Sequence, residues 1–498
     1  MSSSIYESLI EKGVLVSPEI LEKKFDSKLI EKVADFFGDD LDVLDEELII
    51  NFKKKLKKDT ESRVKIIKDY VKEPKKREFS DFVKMFNNRF KQLSSILQNR
   101  QELQRLTSLA RLKNKSSNEK ISIIAMVLDK NYTKNNNIIL SVEDPTGIAT
   151  VVVRKEGDKD LYDLANDIVL DEVIGLSGTW LNTALFPDNI YFPDVPVSKE
   201  LKKQEQDEYV IFMGDTHFGS NVFMKQEFSK FLKWLKGEIG DEVQKEIANK
   251  VKYIIMTGDI IEGAGIYPNQ EHDLEIIDAK QQYEEAAKWI RQIPEHIEII
   301  STTGNHDTGR ISEPQEKPKK DMAKSLYEIP NLRLVSNPSY INIASKNGFP
   351  GFDILLYHGG SLIYYSENIP SIRAAGGQKR VDLIMKFYLQ RRHLAPTHGS
   401  TLIIPDVEED YLLIDEVPDF LVTGHIHRAS ASNYRNVTLL NTSTWTETTE
   451  DQIKRGLEPQ PARIVLTNLR TRKVKIMNFM SKKQKEKEQE KLKHEQSK

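Results

Sequence analysis

Five short sequences along the chain carry side chains that can bind metal ions. They are Gly214-Asp215-Thr216-His217, Gly258-Asp259, Gly304-Asn305-His306-Asp307, Tyr357-His358-Gly359-Gly360 and Thr423-Gly424-His425-Ile426-His427. Imidazole, carboxylate and amide oxygen suit Mn, Fe, Zn or a similar first-row ion. A lone Gly-Asp or Asp-x-His is more often structural, but five such sequences in this order predict a metal site.

The number of candidate ligands predicts two ions rather than one. The seven candidates are Asp215, His217, Asp259, Asn305, His358, His425 and His427. They are too many for one ion with an open coordination position, and they suffice for two ions if one carboxylate bridges. Two metals about 3.5–4 Å apart can hold both the attacking and the leaving oxygen of a phosphoryl displacement, and they lower the pKa of a water between them. These residues therefore predict metal-assisted hydrolysis of a phosphoester.

Each of the five sequences directly follows an apolar run that is typical of a β-strand. These runs are Tyr209–Met213, Tyr253–Met256, Ile297–Ile300, Ile354–Tyr357 and Phe420–Thr423. Apolar residues at helical spacing lie between them, so strands alternate with helices over residues 201–480. Ligand sites in open α/β sheets form at the carboxyl ends of strands. We therefore expect all five sequences to meet at one edge of one sheet.

The residues before 201 predict three smaller units. Apolar residues at helical spacing over residues 1–50 predict a small helical domain. Residues 51–95 begin with a lysine-rich stretch, and we interpret them as a basic linker or solvated helix, with nucleic-acid contact as the alternative. Short β-rich runs over residues 96–200, with a turn signal at Asp144-Pro145-Thr146-Gly147, predict a small barrel of the OB-fold type. Such barrels often bind single-stranded nucleic acid, and a structural or subunit-contact role is equally compatible.

Composition excludes several classes of protein. The chain has 498 residues, which suggests about three domains. It has no cysteine, which excludes disulfide scaffolds, Cys-ligated zinc modules, iron–sulfur clusters and thiol nucleophiles. The sequence contains neither a bilayer-spanning apolar run nor a secretion signal, so we expect a cytoplasmic protein. After residue 480 the chain is almost entirely Lys, Glu and Gln, which predicts a charged disordered tail over residues 481–498.

The five sequences in this order resemble the calcineurin-like metallophosphoesterase family, especially its DNA-repair nuclease branch. The chain is similar, more closely, to the small subunits of archaeal family D DNA polymerases. That likeness includes the helical N-terminus, the predicted barrel and the segment Arg391-Arg392-His393-Leu394-Ala395-Pro396-Thr397. The resemblance covers most of residues 96–480. It implies a multidomain α/β plus all-β protein, in which an OB-fold barrel and a small helical domain precede a calcineurin-like α/β sandwich.

The resemblance also implies a role for each candidate ligand. It places Asp215, His217 and His427 on one metal and Asn305, His358 and His425 on the other, with Asp259 as the bridge. His306 is similar to a family histidine that stabilises developing charge or protonates the leaving alkoxide. We expect Asp307 to hold the other ring nitrogen of His306. Related eukaryotic polymerase subunits have lost these ligands, whereas all seven are present here, and this predicts an active enzyme.

These features predict an Mn²⁺-dependent 3′→5′ exonuclease that proofreads for a separate large catalytic polymerase subunit. The expected substrate is single-stranded or primer–template DNA, and the expected location is the nucleoid. The polarity and the partner follow from the resemblance, whereas the metal-dependent hydrolysis follows from the residues. Two alternatives stay open: a metallophosphatase acting on phosphoproteins or small phosphoesters, and a non-catalytic polymerase assembly subunit.

One further segment is a candidate for the partner contact. Acidic and apolar residues interleave over residues 406–416, and an apolar strip inside a charged rim is typical of subunit contacts. The alternative is a surface loop that leads into the strand before Gly424.

Overall fold

The computed structural model describes residues 3–486 except for 12, 24, 39–40, 62, 73–74, 347, 449–451, 453–457 and 483. Most of the predicted charged tail, residues 487–498, lies outside the described residues. None of the described helices combines the length and the apolar character that crossing a bilayer requires.

Short helices with a shared apolar core form the N-terminal part of the chain. The elements are α1 (Ser3–Glu11), β1 (Leu15–Val16), α2 (Pro18–Lys23), α3 (Ser27–Phe37), β2 (Val43–Leu44) and α4 (Glu46–Glu61). Ile20, Ile30 and Val33 are fully buried between them. The carboxylate of Asp26 accepts a hydrogen bond from the backbone N–H of Lys28, which satisfies a donor at the start of α3.

The segment predicted as a basic linker, residues 51–95, is instead built into the fold. After α4 the chain forms β3 (Lys65–Lys68) and α5 (Phe79–Gln98). Strand β3 pairs antiparallel with residues 340–342 of the α/β part described below. The prediction of a linker was wrong because it rested on local composition, whereas this segment gains its contacts from residues that are distant in the sequence.

The acidic run at residues 406–416 is the partner of that basic segment. Lys72 Nζ lies 2.9 Å from Asp406 Oδ1, and Lys68 Nζ lies 2.6 Å from Glu409 Oε1. The buried guanidinium of Arg89 donates to Asp410 Oδ2 at 2.8 Å. Leu412, Leu413 and Ile414 are likewise buried within this chain. The prediction of a subunit contact at residues 406–416 is therefore corrected, because this chain itself covers that strip.

Five strands close into a barrel in the order β4-β5-β6-β8-β7. The elements are β4 (Glu119–Tyr132), β5 (Ile138–Asp144), β6 (Gly147–Val153), α6 (Lys159–Asn166), β7 (Val173–Trp180) and β8 (Leu185–Tyr191). The turn predicted from Asp144 to Gly147 joins β5 to β6, and the Asp144 carboxylate accepts the backbone N–H groups of Thr146 and Gly147. Fully buried side chains such as Ile123, Leu140 and Leu176 fill the interior, so the barrel encloses a packed core.

The α/β part of the chain follows from residue 209. In chain order its elements are β9 (Tyr209–Met213), α7 (Lys225–Leu235), α8 (Glu242–Asn249), β10 (Val251–Met256), α9 (Ala279–Ile290), β11 (Glu298–Ser301), α10 (Lys320–Tyr327), β12 (Leu332–Leu334), β13 (Ser339–Ile343), β14 (Phe352–Tyr357), α11 (Leu362–Asn368), α12 (Pro370–Ala374), α13 (Val381–Arg391), β15 (Phe420–Thr423), β16 (Ser430–Tyr434), β17 (Val437–Asn441), β18 (Arg463–Asn468) and β19 (Val474–Asn478).

These strands form two sheets, and this corrects the prediction of one. The first sheet has the order β12-β11-β10-β9-β18-β19, and the second has the order β16-β17-β15-β14-β13-β3. The sheets pack face to face through a shared core that includes Phe212, Ile354 and Phe420. Helices α7, α9 and α10 cover the outer face of the first sheet, and α11 and α13 cover that of the second. Strands buried on both faces are apolar throughout, so their pattern does not reveal which sheet they join.

Parallel pairing gathers the ends of the five predicted strands. Strands β9, β10 and β11 are parallel neighbours in the first sheet, and β14 and β15 are parallel neighbours in the second. Their carboxyl ends therefore meet at one edge of the sandwich, where the five sequences rich in Asp, Asn and His emerge.

Candidate metal centre

The structure brings all seven candidate ligands together at that edge. Asp215, His217 and His427 form one group and Asp259, His358 and His425 form another, and within each group one donor atom per residue lies within 4.8 Å of the others. Asn305 joins the second group, because its Oδ1 lies 2.9 Å from His358 Nε2. Asp259 reaches both groups: its Oδ2 lies 3.3 Å from His358 Nε2 and 3.9 Å from His217 Nε2.

The donors fit two divalent cations in type and in charge. Imidazole, carboxylate and amide oxygen are the ligands that first-row ions prefer. The carboxylates of Asp215 and Asp259 are buried, and buried charges require a compensating partner. The Nε2 atoms of His217 and His427 lie 3.2 Å apart, close enough for one cation to bind both.

Five of the seven candidate ligands have a left-handed backbone. The φ angles are 50° for Asp215, 48° for His217, 47° for Asp259, 66° for His425 and 56° for His427. Left-handed φ is uncommon for residues other than glycine, although Asp and His tolerate it better than most. Such conformations cluster at functional sites, where the surrounding structure imposes them.

Two glycines let the loops approach each other closely. A Cβ atom at Gly304 would lie 2.2 Å from Asp259 Oδ1, and a Cβ at Gly424 would lie 2.7 Å from Asp215 Oδ2. No side chain fits at either position without displacing a candidate ligand. The glycines in these sequences are therefore part of the site.

Backbone groups orient the ligands. The N–H of His306 donates to Asp259 Oδ1 at 2.8 Å, and the N–H of His425 donates to Asp215 Oδ1 at 3.1 Å. His358 Nδ1 lies 2.8 Å from the carbonyl oxygen of Thr257, so Nδ1 carries the proton and Nε2 is free to act as a ligand.

Glu262 is a residue of the site that sequence reasoning missed. Its Oε2 lies 3.0 Å from His217 Nδ1, and its backbone oxygen lies 2.7 Å from His306 Nδ1. Burial alone would lower the pKa of His217, but Glu262, Asp259 and Asp215 raise that pKa to about 9. The position therefore attracts positive charge. The only signal in the sequence was an acidic residue three positions after Asp259.

Asp307 does not hold the ring of His306, contrary to the prediction. Its Oδ2 accepts the backbone N–H of Gly304 at 2.9 Å, and its carboxylate also accepts the N–H of Ile260 and the hydroxyl of Tyr283. Burial and the charge of Asp259 raise the pKa of Asp307 to about 7. His306 instead donates from Nδ1 to the carbonyl oxygen of Glu262, which leaves Nε2 available to exchange a proton.

Comparisons with known proteins agree with this geometry. Residues 209–429, which include all seven candidate ligands, match the calcineurin-like phosphoesterase family. The DNA polymerase II small subunit of Methanothermobacter thermautotrophicus is 38% identical over 391 residues, which cover 78% of each chain. That of Archaeoglobus fulgidus is 36% identical over 81% of this chain and 78% of its own. That of Thermoplasma acidophilum is 33% identical over 96% of this chain and 93% of its own. The chain therefore belongs to the DNA polymerase II small subunit family and contains a calcineurin-like metallophosphoesterase domain.

Proposed function

We propose that this chain is the metal-dependent 3′→5′ exonuclease subunit of a DNA polymerase. The observation that supports it most is the pair of donor groups between which Asp259 lies, 3.3 Å from His358 Nε2 and 3.9 Å from His217 Nε2, in a chain of a polymerase subunit family. We assign Asp215, His217 and His427 to one ion, Asn305, His358 and His425 to the other, and Asp259 to both. Mn²⁺ is the ion we propose, and a set of donors that mixes imidazole with oxygen ligands admits it together with Fe and Zn.

The chemistry divides between the ions and the chain. Two bound divalent ions would make a water nucleophilic near neutral pH and offset charge on the phosphodiester. The carboxylates and imidazoles of the chain hold fixed positions for them through the backbone hydrogen bonds described above. We assign to His306 the transfer of a proton at Nε2 to the departing 3′-oxygen, with its ring oriented by the Glu262 carbonyl. The products would be nucleoside 5′-monophosphates.

We also propose that the five-stranded barrel is of the OB-fold type and that the chain assembles with a large catalytic polymerase subunit. The relatives are named as small subunits of DNA polymerase II, which supports the partner. The barrel and the phosphoesterase surface are the proposed contact region, without the strip at residues 406–416.

The test uses the full chain and DNA labelled at the 5′ end, as single strands and as matched or mismatched primer–templates, with Mn²⁺ or with a chelator. With Mn²⁺ we expect a ladder of labelled products that shorten from the 3′ end, and with the chelator we expect uncut DNA. We also expect mismatched ends to be cut faster, because unpairing is easiest there. Asp259→Asn should bind fewer ions and show no hydrolysis.

Other outcomes would favour the alternatives. Release of the labelled 5′ nucleotide first would overturn the polarity. Hydrolysis of a phosphopeptide with intact DNA would favour a metallophosphatase. A chain that retains no divalent ion would favour a non-catalytic assembly subunit.

A further inference from the structure

A cleft of about 430 Å³ is lined in part by the loop that carries the candidate ligands His425 and His427. Ile426, which lies between the candidate ligands His425 and His427, forms part of its wall. The cleft and the metal centre therefore share this loop. Its volume lies within the range of roughly 300–1,000 Å³ that is typical of small-molecule sites, so a nucleotide unit fits.

The cleft carries more positive than negative side chains. Arg373, Lys379 and Arg428 contribute cations to its lining, and Glu367 and Glu458 contribute anions. Glu367 accepts from Arg373 through its backbone oxygen, at 3.5 Å from Nη1. Glu458 is different, because its side chain is held between two of the cations.

The carboxylate of Glu458 bridges Lys379 and Arg428. Its Oε1 forms an ion pair with Lys379 Nζ, and its Oε2 lies 3.5 Å from Arg428 Nη1. A carboxylate and a phosphate present similar oxygens to an arginine–lysine pair. The geometry therefore already contains an anion position beside the loop that carries the candidate ligands His425 and His427.

Arg428 is the fixed member of this pair. Its side chain is 23% exposed, whereas that of Lys379 is 53% exposed. The Arg428 carbonyl accepts from Asn441 Nδ2 at 2.8 Å, and the preceding carbonyl of His427 accepts the N–H of Gln460 at 2.8 Å. The backbone at Arg428 is thus fixed on the same loop as the candidate metal ligand His427.

The ion pairs of Glu458 are weak enough to exchange. Partly exposed salt bridges contribute about 0–1 kcal/mol, because water screens both charges. A polyanion that releases counterions on binding can therefore displace a single carboxylate.

We propose that Arg428 and Lys379 bind a backbone phosphate of the DNA strand whose end lies at the metal centre, and that Glu458 occupies this position until DNA displaces it. The identity of the strand rests on the proposed exonuclease function, whereas the binding itself does not require hydrolysis.

The test measures DNA binding without catalysis. Fluorescence anisotropy of a labelled single-stranded oligonucleotide is recorded in chelator over a series of salt concentrations. Arg428→Gln and Lys379→Gln should each weaken the binding of DNA. Each loss should be the same for oligonucleotides of different base sequence, because a phosphate contact does not depend on the bases. The double variant should reduce the slope of log K against log salt by about 0.7, the value for one phosphate contact on a single strand, and each single variant should reduce it by less. Arg428→Lys should keep the slope.

Glu458→Gln should strengthen binding, because the amide competes less well for the two cations. Lys245→Gln, at a partly exposed position on α8 that lines no part of the cleft, is the matched control and should change neither affinity nor slope. Thermal unfolding of each variant checks that the fold is intact.

The results separate the two proposals. Wild-type slopes in both Arg428→Gln and Lys379→Gln would overturn the phosphate site, as would weaker binding by Glu458→Gln. If the variants behave as expected but the wild-type chain hydrolyses no DNA in Mn²⁺, the exonuclease proposal fails and the phosphate site stands.

Discussion

Glu262 contacts both histidines on which the proposed reaction depends. A carboxylate behind a metal-binding imidazole fixes the ring and raises its basicity, and removing such a partner typically costs about 10–100-fold in metal affinity. Glu262→Gln keeps the shape of the side chain and removes its charge. We expect it to weaken Mn²⁺ binding by that factor, measured by titration against a chelator.

The matched control for that substitution is Glu271→Gln, at an exposed position in the same connection between β10 and α9. Equal Mn²⁺ affinity in the Glu262 variant and the wild type would show that His217 does not rely on this carboxylate.

His306 is expected to act on the substrate and not on the metals. His306→Ala should therefore keep the metal content of the wild type and lose roughly 10²–10⁴-fold in turnover, as is typical for a general acid or base. Metal analysis and single-turnover cleavage of single-stranded DNA measure the two quantities. Loss of bound metal would instead make His306 a ligand, and unchanged turnover would remove it from the mechanism.

At the scale of residues, the sequence predicts which side chains meet but not how the rings turn. The seven candidate ligands were predictable because each follows an apolar strand. The partner of the His306 ring was not, because it depends on the loop from Asp259 to Glu262, which places a backbone carbonyl where a carboxylate was expected. Local sequence does not encode that loop geometry.

A buried ion pair joins helix α5 to the phosphoesterase domain. Arg89 donates from Nη1 to the carbonyl oxygen of Pro396 and from Nε to Asp410, both at 2.8 Å. Removing one member of a buried pair leaves an uncompensated charge and typically costs about 3–5 kcal/mol. Arg89→Ala should therefore lower the free energy of unfolding by that amount in urea titrations.

Lys91→Ala is the control for Arg89, since Lys91 is exposed on the same helix and a substitution there should change stability by less than about 0.5 kcal/mol. If Arg89→Ala lowered the free energy of unfolding no more than Lys91→Ala does, the ion pair would not be what holds α5 in place.

His393 makes this anchor sensitive to acid. Its Nε2 lies 3.0 Å from Asp410 Oδ2, and its Nδ1 accepts the N–H of Ala395 at 2.9 Å, so the folded protein requires a neutral ring. Burial and the charge of Arg89 lower the pKa of His393 to about 4, although Asp410 opposes them. The unfolded chain, with a pKa near roughly 6.5, binds this proton more readily.

The contribution of neutral His393 to the free energy of unfolding is thus fully present above about pH 6.5, and it is lost as the pH falls towards about 4. His393→Gln should flatten the pH dependence of the unfolding free energy over that window, by up to about 3 kcal/mol. Parallel curves for variant and wild type would contradict this assignment.

At the scale of elements, strands were predictable and their partners were not. Runs such as Phe420–Thr423 have the predicted bounds because their apolar character depends only on local burial. The pairing of β3 with β13, and of Lys72 with Asp406, joins distant segments whose charges compensate each other only after folding. Each segment read alone resembles a linker or an open interface.

For the whole molecule, the main prediction is a stable complex with the large polymerase subunit. The chain alone should incorporate no nucleotides, whereas the complex should extend and trim primers. Gel filtration of the two proteins at micromolar concentration should give one co-eluting peak. Separate elution would overturn the proposed assembly and leave the metallonuclease proposal standing.

The left-handed ligands have an evolutionary consequence. Each sparsely populated backbone conformation costs on the order of 1–3 kcal/mol, and folding bears that cost whether or not any DNA is cut. A glycine at such a position removes this cost, because it adopts the left-handed conformation without strain. A change of the loop to an ordinary backbone conformation removes it as well. A lineage that no longer needed hydrolysis would therefore gain stability by replacing Asp215, His217 or Asp259. Selection for stability and selection for cleavage oppose each other at these positions. The candidate ligands would therefore be replaced rapidly in a lineage in which cleavage is no longer under selection.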